Sequence, residues 1–318
     1  MRRLLVTGAL GQIGSELVTA LRVRHGESAV VASDIRVPAA GAASDGPFVV
    51  LDVTNARQLQ DVVRRHDVGT VYHLAALLSA TSEERPQVAW DLNLGGLYKT
   101  LEVARENRCA VFFPSSIAAF GPTTPKLGTP QDTIQRPTTI YGVTKVAGEL
   151  LADYYALRFG VDVRGLRFPG LISYGAPPGG GTTDYAVAIF YEALRHGRYD
   201  CFLGPESRMD MMYMPDAIRA VLELMDADPA RLAHRNAFNI SAMSFTPEEL
   251  AAEIRRHLPA FEMRYDVEPV RQAIADSWPQ SLDDSAARAE WGWRPEYDLA
   301  AMTADMIVQL RVKLRIDA

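Results

Sequence analysis

Cysteine is almost missing from this chain, with only Cys109 and Cys201 among 318 residues. Two isolated cysteines form neither a disulfide scaffold nor a metal-ligand spacing, so both read as structural thiols of a cytoplasmic protein, and no metal is expected. Lysine is scarce as well, occurring only at positions 99, 126, 145 and 313, and the net charge is −6. Such a chain has no basic field to attract nucleic acid or an anionic membrane. Long apolar runs are also lacking. After Met1-Arg2-Arg3 only three apolar residues precede Thr7, and no stretch approaches the roughly 18 apolar residues of a membrane span, so neither a signal peptide nor a transmembrane helix is expected. With 48% hydrophobic and 23% charged residues, what remains is a globular chain that can bury a large core, and its natural partners are small molecules.

The stretch Leu4-Leu5-Val6-Thr7-Gly8-Ala9-Leu10-Gly11-Gln12-Ile13-Gly14 is organised differently from the rest. A short apolar run meets glycines at 8, 11 and 14, and residues 12–24 then carry apolar side chains at helical spacing, so strand, tight turn and helix follow one another. Gly8 and Gly11 let an anion approach the backbone, and the new helix offers unpaired N–H groups. Gly14 lets helix and strand pack closely. Such a junction can hold the pyrophosphate of a dinucleotide, and Gln12 and Ile13 lie on the same turn. Asp34 closes the next apolar run, 20 residues after Gly14. A carboxylate there accepts hydrogen bonds from a ribose and repels a 2′-phosphate, which favours NAD over NADP, although Arg36 works the other way.

A small-residue loop at 39–46 leads into a third strand at 48–53, and a helix at 55–66 follows with Thr54 or Asn55 as cap. Residues 69–76 form a fourth strand and its exit. His73 there reads as a satisfied core histidine. Ala75 and Ala76 are small enough for a flat cofactor to lie over them. A long helix is expected over 86–107, then a strand at 110–113 running into Pro114-Ser115-Ser116. This alternation predicts a doubly wound parallel α/β (Rossmann) sheet with its ligand crevice at the carboxyl ends of the strands, where Asp34, Asp52, Ala75, Ser115 and Ser116 all fall.

Beyond a Pro/Gly/Thr-rich loop, Tyr141 and Lys145 stand four apart at the start of a helix. That spacing puts both on one face, where the ammonium would lower the phenolic pKa and make Tyr141 a competent general base. The glycine-rich segment 179–184 could close over a ligand and offer its N–H groups to a carboxylate. Residues 184–196 and 215–225 read as helices, 209–214 as a strand with a core-filling methionine cluster, and 298 onward as a closing helix. Thr246 and Glu249 form a capping box.

Taken together, Thr7-Gly8-x-x-Gly11-x-x-Gly14, Asp34, Leu51-Asp52-Val53, His73-Leu74-Ala75-Ala76, Asn93, Pro114-Ser115-Ser116 and Tyr141-x-x-x-Lys145 resemble the extended short-chain dehydrogenase/reductases. The resemblance implies that Tyr141 is the base, that Lys145 holds the nicotinamide ribose, and that Ser116, with Ser115 beside it, binds the substrate oxygen. It also implies that Asp52 and Val53 lie at the adenine, and that Leu74, Ala75, Ala76, Asn93 and Pro169 line the cofactor.

The blocks 167–174, 178–185, 211–216 and 275–279 are similar to the short-chain-type L-threonine 3-dehydrogenases, and Pro169 replaces an Asn common in sugar-nucleotide epimerases. From that resemblance L-threonine is the substrate, contacted by Ser79, Gly181 and Thr182 and walled by Trp278, and the chain is a homodimer through residues 86–107 and 140–158. Residues 1–168 would form the NAD-binding unit, and 169–318 a smaller C-terminal α/β substrate lobe with some segments returning to the sheet. Two other readings stay open: a nucleotide-sugar epimerase or dehydratase that retains its NAD, and a non-catalytic NAD-sensing module.

Overall fold

The computed structural model describes residues 2–38 and 46–316. Most of the expected loop at 39–46 lies outside the described residues. In chain order the first half comprises β1 (Arg3–Thr7), α1 (Gln12–His25), β2 (Val30–Asp34), β3 (Phe48–Val50), α2 (Ala56–Arg65), β4 (Val68–His73), α3 (Ser79–Glu84), α4 (Pro86–Ala89), α5 (Gly96–Asn107), β5 (Ala110–Ser116), α6 (Ile140–Phe159), β6 (Val163–Phe168) and β7 (Gly170–Ile172). There follow α7 (Tyr185–His196), β8 (Arg198–Cys201), β9 (Met209–Tyr213), α8 (Met214–Asp226), β10 (Phe238–Asn239), β11 (Met243–Phe245), α9 (Pro247–His257), β12 (Glu262–Tyr265), α10 (Pro269–Ser277), α11 (Ser285–Trp291) and α12 (Leu299–Leu314).

The large sheet has seven strands in the order β10-β6-β5-β4-β1-β2-β3, and all of its pairings are parallel. Its inner strands are buried and mostly apolar because helices cover both faces. On one face α2, α5 and α6 bury Leu59, Leu101, Ala152 and Tyr155 against Leu5, Val71 and Val111. On the other, α1 and α8 bury Leu17, Leu21, Ile218 and Leu224 against Val6, Phe112 and Leu166. The order reverses between β1 and β4, so the crevice opens where the cradle stretch leaves β1. Strand β10 comes from the second half of the chain and completes the sheet at its edge.

Two smaller sheets, β11-β9-β7 and β12-β8, build the second lobe with α7, α9 and α12 around Tyr185, Phe190, Tyr213 and Phe245. Met209, Met211, Met212 and Met214 are all buried, as their apolar spacing implied. Thr246 and Glu249 make the capping box in both directions, and Asn55 rather than Thr54 caps α2.

The expected continuous helix over 86–107 is corrected. It is broken into α4, a wide π turn over Trp90–Gly95, and α5. Within the π turn Asn93 faces inward, and its amide bonds both the N–H and the carbonyl of Leu77, at 2.8 and 3.2 Å. An inserted residue of this kind re-aims one side chain without ending the helix. Among the described residues no helix is long and apolar enough to cross a membrane. No group of three or more His, Cys, Asp or Glu among them is arranged to hold a metal ion.

Candidate active site

The crevice at the strand ends holds two cavities that share Gly8, Gly11, Leu74, Ala76 and Leu78 on their walls. The turn between β1 and α1 divides them. Gly8 has φ +67, and a Cβ there would meet the Ala75 nitrogen at 2.8 Å. A Cβ on Gly14 would meet the Gly8 carbonyl at 2.2 Å. The turn therefore packs backbone against backbone, as only glycine permits. Helix α1 starts without a side-chain cap, so its first N–H groups are left for an anion. A cradle of this shape, closed to any Cβ and rich in free donors, fits the pyrophosphate of a dinucleotide.

The first cavity, beyond the outer side of this turn, is walled by Asp34, Arg36, Asp52, Val53, Ala75 and Leu77. Asp34 accepts the N–H of Leu10 at 3.1 Å and ion-pairs with Arg36 at 3.1 Å. Burial works against its charge, but the Arg36 side chain and N–H, with Leu10, hold the carboxyl below its ordinary range. Asp52 turns its carboxylate to the N–H and hydroxyl of Thr54, at 2.8 and 2.7 Å.

The second cavity, of about 280 Å³, takes Gln12, Ile13 and Gly14 on one side. Ser116, Tyr141, Lys145 and Pro169 stand opposite, and Ser79, Gly181 and Trp278 close the far wall. Three elements bring the reactive groups together. Strand β5 pairs with β4 only as far as Phe112, so Pro114 lies where a missing N–H costs no ladder bond on that side. Its carbonyl receives the Lys145 Nζ at 2.6 Å. Thr139 caps α6 by accepting the Gly142 N–H at 3.1 Å, which starts the helix one residue before Tyr141. Glu83 also accepts the Ile140 N–H at 2.8 Å. Ser116 stands beside the Tyr141 phenol, whose pKa its hydroxyl pulls down, and its Oγ accepts the Ala118 N–H.

The electrostatics correct one expectation. Tyr141 is not lowered in this state: burial pushes its phenol up to about 12, against a pull downward from Ser116. The Lys145 ammonium lies over the Tyr141 ring, 5.3 Å from its centre. Burial pushes that ammonium down to about 8, with Glu149 opposing the shift. His73 is buried, with Nδ1 on the Thr100 hydroxyl at 3.1 Å, and burial pushes it down to about 3 with Lys145 adding to the effect. It is a neutral core residue.

Two expected site residues, Asn93 and Thr182, lie off the cavity walls. Asn93 is spent on Leu77 behind the cavity wall. Ser115 lines the cavity but is 2% exposed and gives its hydroxyl to Glu149, so of the two serines Ser116 is the one beside the phenol. Thr182 is buried, its hydroxyl without a hydrogen-bond partner among the described residues, and Thr183 and Asp184 take its place on the wall. The N–H groups of the 179–184 segment are not open to a substrate carboxylate. Asp184 takes those of Gly179, Gly180 and Gly181 at 2.7, 2.7 and 2.8 Å. Leu78, Ile117, Leu171 and Asp184 were not legible as wall residues, because only the fold brings their distant segments together.

A family model, the NAD dependent epimerase/dehydratase family, matches residues 4–241. The chain belongs to this family. NAD is thus the cofactor of its kind, and the cradle, Asp34 and the paired cavities suit it. Among curated members, an uncharacterized epimerase/dehydratase of Staphylococcus saprophyticus is 56% identical over 308 residues, covering 96% of each chain. Among solved structures, an L-threonine dehydrogenase from Clostridium difficile is 56% identical, covers 98% of both chains and superposes with a TM-score of 0.96. The holo form of an L-threonine dehydrogenase from Cupriavidus necator is 52% identical, covering 97% of this chain and 99% of its own, with a TM-score of 0.94.

Proposed function

We propose that this chain oxidises L-threonine at C3 to 2-amino-3-oxobutanoate with NAD, a step of threonine catabolism. The observation that carries the reading is the likeness to threonine dehydrogenases over nearly the full chain, at 56% and 52% identity. The meeting of Ser116, Tyr141 and Lys145 in one cavity supports it.

In this reading Gly8, Gly11, Gln12, Ile13 and Gly14 hold the pyrophosphate. Asp34 holds the adenosine ribose, Asp52 and Val53 border the adenine, and Leu74 to Ala76 and Pro169 lie along the cofactor. NAD⁺ would supply the hydride acceptor for C3 and a positive charge of its own. Lys145, charged at neutral pH, contributes the other part of the field that brings Tyr141 down from about 12. The Tyr141 oxygen takes the 3-hydroxyl proton while Ser116 donates to the same substrate oxygen, so the proton leaves as the carbonyl forms. Ser79, Gly181 and Trp278 orient the amino-acid head group and keep water out. Asn93 acts through Leu77, and Ser115 through Glu149.

Residues 1–168 act as the cofactor unit and 169–318 as the substrate lobe. Helices α5 and α6 leave Tyr98, Leu150, Tyr154 and Leu157 exposed, a surface that a second copy in a cytoplasmic homodimer would cover. The test is NADH formation, read by absorbance, with L-threonine beside D-threonine, L-serine and UDP-glucose. A rise confined to L-threonine supports the assignment. Turnover of UDP-glucose without net NADH would replace it with the epimerase reading.

A further inference from the structure

Glu149 lies one helical turn beyond Lys145 on α6, and both are buried, at 3% and 4% exposure. Its carboxylate is fully engaged. Arg167 on β6 donates to it through Nε at 3.0 Å and Nη2 at 2.8 Å, Gln135 donates at 2.7 Å, and the Ser115 hydroxyl donates as well. Arg167 is fixed in turn by the Gln131 carbonyl at 2.7 Å and Asn239 at 3.1 Å. Asn236 ties the Glu149 main-chain carbonyl, at 3.0 Å, to Asp153.

Consecutive residues of β5 are therefore pinned from one helix. Lys145 holds the Pro114 carbonyl, Glu149 holds the Ser115 hydroxyl, and Ser116 comes next, facing Tyr141. A buried ion pair is not needed for stability, since apolar side chains of similar volume serve as well. Its location behind the Tyr141–Lys145 pair calls for another reason.

The groups facing Lys145 are few. Tyr141 and Glu149 come from its own helix. Strand β5 offers the Pro114 carbonyl and the Phe113 ring, 5.0 Å away, and β4 offers neutral His73. Asp153 and Arg167 bracket Glu149 on its far side. Glu149 is the carboxylate that opposes the loss of charge which burial imposes on Lys145.

We propose that Glu149 is a positioning residue for the Tyr141–Lys145 pair: clamped by Arg167, it fixes the end of β5 so that Ser116 faces the phenol, and it sets a carboxylate one helical turn from the Lys145 ammonium. The proposal rests on the reading of Tyr141 and Lys145 given above.

With lysine only at 99, 126, 145 and 313, selective ¹³C labelling of the lysine ε-carbons gives a sparse spectrum of the free enzyme, in which loss of a signal in Lys145→Met assigns Lys145. Glu149→Gln, which keeps an acceptor for Ser115, should lower the Lys145 titration midpoint by about one pH unit. Glu149→Asp should restore it, and Arg167→Gln, which removes the balancing cation, should raise it. A purely structural network would not move the two in opposite directions. The alkaline limb of threonine oxidation should fall by the same interval in Glu149→Gln. A Lys145 midpoint unmoved in folded Glu149→Gln overturns the proposal. If that variant does not fold, an unmoved or lowered midpoint in Arg167→Gln overturns it. A wild-type enzyme inert toward threonine would sink the substrate reading instead, and the Lys145 titrations would still decide the link to Glu149.

Discussion

Asp184 reaches back four residues to Gly180, accepting its N–H at 2.7 Å, and takes the N–H groups of Gly179 and Gly181 with the same oxygen. One carboxylate thus folds the glycine-rich segment against the cavity. Gly180, at φ +95, shows why the turn needs glycine. Removing that anchor leaves three donors to water. Asp184→Ala should speed amide exchange at Gly179 to Gly181 by at least about tenfold and raise the KM for threonine, with the melting temperature little changed. Exchange mass spectrometry checks the first effect and steady-state kinetics the second. Unchanged protection would mean that the segment is held by something else.

The phenol carries the proton transfer in this account. Tyr141→Phe keeps the ring over which Lys145 lies and removes only the oxygen, so the fold should survive while kcat falls by about two to four decades. A variant with near-normal kcat would remove Tyr141 from the chemistry and revive the sensing-module reading.

In the proposed function, cofactor choice depends on the Asp34–Arg36 pair. Asp34→Asn removes the charge that repels a 2′-phosphate and releases the Arg36 guanidinium, now held at 3.1 Å, to receive one. The ratio of kcat/KM with NADP to that with NAD should rise at least about tenfold, the equivalent of about 1.4 kcal/mol. Initial rates with the two cofactors measure it. A constant ratio would show that the preference is set elsewhere.

His73 makes stability depend on pH. Its folded pKa, about 3, lies below the value of about 6.5 in an unfolded chain, so the folded state favours the neutral ring. The contribution is complete above about pH 6.5 and is lost as pH falls toward 3. His73→Gln should be less stable than the wild type at pH 7.5, and the gap should narrow by pH 5 in urea titrations. A gap that widens on acidification would contradict the neutral assignment.

The sequence made the cofactor half legible because its constraints are local. The glycines at 8, 11 and 14 and the carboxylate at 34 belong to one strand-turn-helix-strand unit, and a four-residue spacing suffices to put Tyr141 and Lys145 on one helical face. What escaped has other causes. The π turn around Asn93 leaves the apolar pattern of 86–107 intact, since one inserted residue changes the aim of a side chain and not the composition. The raised Tyr141 reflects burial by residues far away in sequence, which no helical spacing encodes. The Glu149–Arg167 pair joins a helix to the next strand, and its tie to Ser115 requires the register of β5 with β6. The two-residue strand Phe238–Asn239 is too short for any periodicity to announce, yet it completes the large sheet.

In the proposed reaction a hydride leaves C3 of L-threonine and is kept by the cofactor. L-Threonine deuterated at C3, incubated with the enzyme and NAD⁺, tests it by mass spectrometry of the cofactor pool. Released, reduced cofactor should carry one deuterium for each threonine oxidised. Reduced cofactor without the label, or no reduction at all, would contradict it.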